Sequence, residues 1–421
     1  MGMSNPTGPA VIVDPYSSGA LYAPAFLSYN IPVIAVVSGA TPPKVYAASY
    51  QPEHFQQIIT ASDNLREVAD QLNKLHPRCV IAGCESGVEL TEILAPQVVE
   101  DVANSLEKAG ARRHKGEMAA AVANAGLSTI NQICTNSFEE VEHWLNQEGL
   151  IGSDLVIKPP KSASTDGVTK VNKGVGWREI FKSMLGKYNR LGIINDSLIV
   201  QEYVFGTEYV VDTISVAGKH SVCDICKYTK INNGSYMAIY ENLKWLPNTI
   251  PNYDKIINYT YGVLDAVGMR YGAAHVELMF TKDGPKLIEL GARPHGGGHP
   301  RFCRLATNDS QIDRMVRHFA GLGPVAESFN LVSNVLVVFL ICKKAGKVCN
   351  AEIFDKVDRL TSHYFSKINF SNSDWLEPTK DLFDSLNLGF VVLNHEDESQ
   401  VVTDYNAIRK LEKQLILDTN N

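Results

Sequence analysis

Lys286-Leu287-Ile288-Glu289-Leu290-Gly291-Ala292-Arg293-Pro294-His295-Gly296-Gly297-Gly298-His299 is the stretch on which the reading of this chain turns, taken together with the upstream run Ala274-His275-Val276-Glu277-Leu278-Met279-Phe280. Both runs are apolar and strand-like, and each carries one carboxylate. Asp283-Gly284 between them is a hairpin turn signal, so Glu277 and Glu289 are expected to face each other across an antiparallel pair. Their apolar neighbours Val276, Leu278, Leu287, Ile288 and Leu290 argue against a merely solvated strand face. Two carboxylates on rigid strands suit a hard cation, and Mg2+ takes one or two carboxylates together with phosphate oxygens. Arg293 beside them is a planar, permanent cation fit for phosphate or carboxylate. The expectation is a metal-nucleotide site.

Upstream, Pro9-Ala10-Val11-Ile12-Val13-Asp14 reads as a buried strand. Pro15 to Ala20 turns into a helix, and Ile31 to Val37 is a second strand, which makes a βαβ unit. A helix over about 62–75, the strand Cys79 to Gly83 and a helix over 88–94 repeat the alternation. The first third is therefore expected to be a small doubly wound domain, with ligands at the carboxyl ends of its strands near Asp14 to Gly19 and Gly83-Cys84-Glu85-Ser86-Gly87. Neither turn has a full dinucleotide fingerprint, which argues against a nicotinamide cofactor. Between about 105 and 205 the pattern becomes helix, strand, Gly/Ser-rich loop, helix, strand. In that loop, 159–168, Ser162, Ser164, Thr165 and Gly167 form a flap whose backbone amides suit a phosphate; a plain exposed hairpin is the alternative. After Leu198 come strands, a helix over 254–267, the carboxylate hairpin, and a tail of further strand and helix.

At 421 residues the chain suggests two or three domains, and 45% hydrophobic and 20% charged residues are ordinary for a globular protein. A net charge of −7 argues against nucleic-acid or anionic-membrane partners, which need a basic face. No apolar run is long enough to span a bilayer and no basic-then-apolar leader opens the chain, so a cytoplasmic location is expected. Eight cysteines scattered through strand-like segments fit buried free thiols in a reducing compartment. Cys223-Asp224-Ile225-Cys226 lacks a second pair for zinc, and His295 and His299, read as lying off any helix, are not taken as a zinc pair.

In order along the chain, Lys115, Lys158, the 162–168 loop, Gln201-Glu202-Tyr203-Val204 through Glu208, Glu277, Glu289 and Arg293 resemble the ATP-grasp ligase superfamily. Ala82 to Leu90 and Gly291 to Pro300 resemble most the ligases that join free L-amino acids into dipeptides, including those of peptide-antibiotic pathways. The fold this implies is α/β: an ATP-grasp fold with an N-terminal doubly wound, Rossmann-like parallel-sheet domain (1–110), a small lid subdomain (111–205) and a C-terminal α+β domain (206–421) in which 325–421 is an appended subdomain.

The resemblance implies that Lys115 and Lys158 reach the nucleotide phosphates. It also places Gln201, Glu202 and Val204 along the adenine edge through their backbone, and gives Glu208 the ribose hydroxyls. Glu277 and Glu289 would hold one or two Mg2+ ions, with Mn2+ as a substitute. Relatives often carry Asn two positions after the second metal carboxylate, where this chain has Gly291. Arg293 and Lys158 would stabilise the transferring phosphoryl group, with Arg270 in a similar role and Lys227 or Lys230 facing the triphosphate. Glu85, His275, Arg293, Gly297, His299 and Arg301 are the residues expected to meet the substrate. His275 should share a strand face with Glu277. The implied activity is ATP-dependent carboxylate-amine ligation between amino-acid-like substrates through an acyl phosphate. An ATP-grasp carboxylase or purine-pathway ligase, and a non-catalytic ATP-binding protein, are the alternatives. Such relatives are often dimers, and nothing in the sequence decides the oligomeric state.

Overall fold

The computed structural model describes residues 7–163, 165–234 and 236–419. The first sheet is parallel, with order β3-β2-β1-β4 from β1 (Ala10–Val13), β2 (Val33–Val37), β3 (Gln57–Thr60) and β4 (Cys79–Ala82). β1, β2 and β4 are buried along their whole length, as expected of strands covered on both faces. Helices α1 (Tyr22–Leu27), α2 (Leu65–Asn73) and α3 (Val88–Val98) supply the cover. β3, too polar to stand out in the sequence, is an edge strand with one buried residue.

Helix α4 (Lys115–Asn124) leads into a four-stranded sheet of order β5-β8-β6-β7, built from β5 (Gln132–Thr135), β6 (Leu155–Lys158), β7 (Thr169–Val171) and β8 (Leu198–Glu202). Leu155, Ile157, Leu198 and Val200 pack beneath α5 (Phe138–Gln147) and α6 (Trp177–Met184). Strand alternation therefore turns Val156, Lys158 and Gln201 to the opposite face.

The largest sheet has eight strands in the order β13-β12-β9-β10-β11-β14-β18-β16. These are β9 (Thr207–Val216), β10 (Lys219–Asn233), β11 (Tyr236–Trp245), β12 (Gly272–Thr281), β13 (Gly284–Gly291), β14 (Asn334–Phe339), β16 (His363–Ile368) and β18 (Gly389–His395). Helix α7 (Tyr253–Ala266) covers the apolar face of the β12–β13 hairpin. The strands after residue 325 thus continue the sheet that carries Glu277 and Glu289. A small sheet of β15 (Gly346–Val348), β17 (Trp375–Leu376) and β19 (Leu417–Asp418) lies beyond it.

All eight cysteines are free. Six are buried as expected, whereas Cys134 is half-buried and Cys349 exposed. Among the described residues no helix is long and apolar enough to cross a membrane.

Candidate active site

Glu277 and Glu289 are direct cross-strand partners, so both carboxylates stand on one face of the hairpin. The turn is Lys282-Asp283, closed by the Thr281–Gly284 pair, one residue earlier than the sequence suggests. A bulge between Glu277 and Leu278 leaves Ile288 out of register. Its carbonyl accepts from Lys158 Nζ at 3.4 Å. On the other face Val276, Leu278, Leu287 and Leu290 enter the core, which holds the two carboxylates in place.

Around this pair the fold gathers cations. Lys115 opens α4, donates to the Ser162 carbonyl at 2.8 Å and pairs with Glu289 at 3.1 Å. Lys158, at the end of β6, is 4% exposed. Burial first, and then the charge of Lys115, brings its ammonium down to about 8. Lys230 pairs with Glu208 at 2.5 Å. Burial lifts Glu208 to about 7, against the pull of Lys230 and with help from Glu277. Glu277 is held well below the usual carboxylate range, because a hydrogen bond from His275 and the charge of Lys230 outweigh the cost of burial.

Arg293 Nε donates to Glu85 at 2.9 Å, and Arg113 Nη1 lies 3.2 Å from the other oxygen of Glu85. Burial opposes ionisation of Glu85, but Arg113, Arg293 and Lys115 together keep it below its ordinary value. Glu85 is thus the anionic centre of a buried cationic wall. The glycine loop lies alongside, where Gly297 and Gly298 donate to the hydroxyls of Ser17 (3.1 Å) and Ser18 (3.0 Å). Both glycines have positive φ, the reason glycine suits these positions.

In the 159–168 flap, Ser162 donates to Asp166, Thr165 has φ 62°, and Gly167 has φ 73° with Pro159 against it. Ser164 lies outside the described residues. Gln201 is buried, and its Oε1 has no hydrogen-bond partner among the described residues. Glu202 accepts from Asn131 N and Lys286 Nζ, both at 3.1 Å, so its side chain is engaged, and its backbone N–H donates to the Asn131 carbonyl at 3.0 Å. Val204 follows half-buried.

His275 shares the face of Glu277 and lies 3.0 Å from it. Three expected residues are not brought to the cluster. Arg270 is exposed at the far end of β12, its backbone paired with Asn104 and Gly218. Arg301 is exposed on α8 (His299–Thr307). His299, which opens α8 and so does lie on a helix, turns inward against Trp245 and Asp212. Arg113, Asp212 and Tyr228 were not legible as site residues, since each is brought in from a distant element and none stands in a motif, whereas Ser17 and Ser18 fall within the Asp14 to Gly19 edge that the sequence marked.

Residues 151–299 match the family model of the ATP-grasp domain, and the chain has the ATP-grasp fold. Residues 151–299 are thus similar to ATP-grasp domains. The chain is 28% identical over 387 residues to dapdiamide A synthase of Enterobacter agglomerans, spanning 89% of either chain. An L-amino acid ligase from Bacillus licheniformis has a similar structure, with TM-score 0.72, 14% identity, and 98% of this chain and 99% of that one covered. So has N5-carboxyaminoimidazole synthetase from Staphylococcus aureus complexed with ADP, with TM-score 0.70, 13% identity and coverage of 97% and 98%.

Proposed function

We propose that this protein is an ATP-dependent carboxylate-amine ligase joining an amino-acid-like carboxylate to the amine of an amino acid, in dipeptide or peptide-antibiotic synthesis. The observation that carries this reading is the cross-strand carboxylate pair Glu277–Glu289 ringed by Lys115, Lys158, Lys230 and Arg293. The similarity to dapdiamide A synthase along 89% of the chain supports the amino-acid substrates. In the proposed reaction a substrate carboxylate oxygen attacks the γ-phosphorus of ATP, the bond to the bridging oxygen breaks, and ADP leaves. The amine of the second substrate attacks the acyl carbon, phosphate departs with its oxygen, and the amine loses a proton.

The all-oxygen donor set of Glu277 and Glu289 fits a hard cation, so these two would hold Mg2+, or Mn2+ in its place; the bound ion would offset charge on the β and γ phosphates. Gly291 contributes no side-chain ligand. Lys115 and Lys158 bind and orient the phosphates, and Glu208 accepts from the ribose hydroxyls. Arg293 stabilises the phosphoryl group or substrate carboxylate. The 159–168 flap, tied down where Lys115 N donates to the Pro160 carbonyl at 3.1 Å, excludes water from the acyl phosphate.

Purified protein screened with pairs of free L-amino acids should release ADP and yield a product with the mass of a dipeptide. Release only with bicarbonate plus an amine would favour the carboxylase reading, which the likeness to N5-carboxyaminoimidazole synthetase keeps in view. ATP binding without turnover in either screen would leave a non-catalytic ATP-binding protein.

A further inference from the structure

Beside the carboxylate hairpin, on the face that carries Glu277, lies a buried polar cluster that the proposed chemistry does not use. At its centre is Asp212 on β9, with no exposed surface. One carboxylate oxygen meets His275 Nδ1 at 3.0 Å; the other meets His295 Nδ1 at 2.8 Å and His299 Nε2 at 3.1 Å. The ring centroids of His295 and His299 stand 3.6 Å apart, and those of His275 and His295 stand 4.0 Å apart. Placing three imidazoles around one carboxylate in a dry site restricts the position of each, because an unmet hydrogen bond there costs the full desolvation of the group.

What the three imidazoles hold is informative. His275 Nε2 reaches Glu277 Oε1 at 3.0 Å, and both nitrogens of this ring face carboxylates, so it donates from both. His295 and His299 bracket Gly296–Gly298, one imidazole at either end of the glycine loop. The backbone N–H of His295 also donates to Gln311 Oε1 at 2.9 Å, and the Tyr228 hydroxyl meets His295 Nε2 at 2.8 Å. His299 Nε2 lies 3.5 Å from Asp224 on β10. Through Asp212, one rigid path therefore runs from the cation-binding carboxylate to both ends of the loop.

We propose that Asp212 is a positioning residue that couples occupation of the Glu277 site to the order of the Gly296–Gly298 loop, so that nucleotide with its cation prepares the loop for the carboxylate substrate. A displacement of Glu277 on binding would move His275 and hence Asp212, and Asp212 cannot move without carrying His295 and His299. The inference rests on the nucleotide reading above.

The test uses the full chain, ADP and amide hydrogen exchange, and it needs no knowledge of the amino-acid substrate. Addition of ADP with Mg2+ should slow exchange at Gly296 to His299 by about fivefold or more, the lower range of ordinary coupling between sites. ADP with a chelator should not. In Asp212→Asn the nucleotide should still bind while the protection is lost. His275→Gln, which cuts the path at Glu277 but leaves Asp212 its two loop histidines, should give the same loss if Asp212→Asn does not fold. Protection that persists in His275→Gln, or wild-type protein that binds ADP and Mg2+ with no change at the loop, overturns the coupling alone. Failure of wild-type protein to bind the nucleotide overturns the coupling and the proposed function together.

Discussion

The guanidinium of Arg293 occupies the space that a side chain at Gly291 would need: a Cβ on Gly291 would lie 2.9 Å from Cζ and 3.1 Å from Nε and Nη2. The space beside Gly291 is therefore filled by the arginine. Glycine there lets the arginine fold back beside Glu289 while Glu85 holds its Nε.

Gly291→Ala should accordingly push the guanidinium off Glu85. Because misplacement by about 1 Å can cost about 10²-fold in rate, kcat/KM for ADP release should fall by roughly 10- to 100-fold. The thermal midpoint should fall as well, because the displaced guanidinium leaves its buried ion pair with Glu85. Gly291→Asn with undiminished turnover would show that Arg293 does not need this space.

Glu289→Gln should abolish ATP turnover and leave the fold intact. The carboxylate is only partly buried, with Lys115 as its ion-pair partner, so circular dichroism and the unfolding midpoint should match the parent. Ordinary ADP release by this variant would sink the assignment of the metal carboxylates.

Lys158 should impose a pH limit on nucleotide binding. Its ammonium, brought down to about 8, is charged below that pH and neutral above it. Affinity for ADP with Mg2+, measured by calorimetry, should weaken as pH rises through about 8, while Lys158→Arg should hold affinity level. Folding stability from this group runs the other way. The folded chain releases the proton before the unfolded one does, so stability rises between about 8 and the ordinary lysine value of 10.5. Affinity of the wild type that is flat across this window would exclude Lys158 from the phosphate contact.

Arg112→Met should destabilise the whole molecule. Arg112 has no exposed surface; it pairs with Glu92 and donates to the carbonyls of Val267 (2.8 Å) and Ser105 (2.6 Å), joining α3 to the turn after α7. Removing one partner of a buried ion pair leaves the other uncompensated, at about 3–5 kcal/mol. Urea unfolding should report a loss of that size, and Glu92→Gln should lose a comparable amount. A change below about 1 kcal/mol in both would mean that water reaches the pair.

Much of the fold was legible because the signals were local. The βαβ alternation of the first third, the Gly/Ser flap between two strands and the carboxylate hairpin all rest on side-chain period and turn chemistry within a few residues. β3 escaped because an edge strand with polar side chains, Gln57 and Thr60, has no buried-strand pattern to show. The register of the hairpin was readable to within one residue. Its bulge was not, since nothing in Leu287-Ile288-Glu289 marks which residue leaves the ladder.

Glu277, Glu289 and Arg293 stood out in the sequence through the hairpin and its flanking residues, whereas Lys115 and Lys158 were marked only by the resemblance of the whole ordered set; in the structure Lys115 meets Glu289 and Lys158 meets the Ile288 carbonyl. Where those charges settle depends on partners hundreds of residues away in some cases: Glu85 meets Arg293 across 208 positions, and His295 meets Asp212 across 83. Sequence spacing carries no record of such contacts. Only burial in a common core brings an aspartate on one strand together with three histidines from a neighbouring strand, a loop and the start of α8, and only there does each unmet hydrogen bond cost enough to hold the site in a single arrangement.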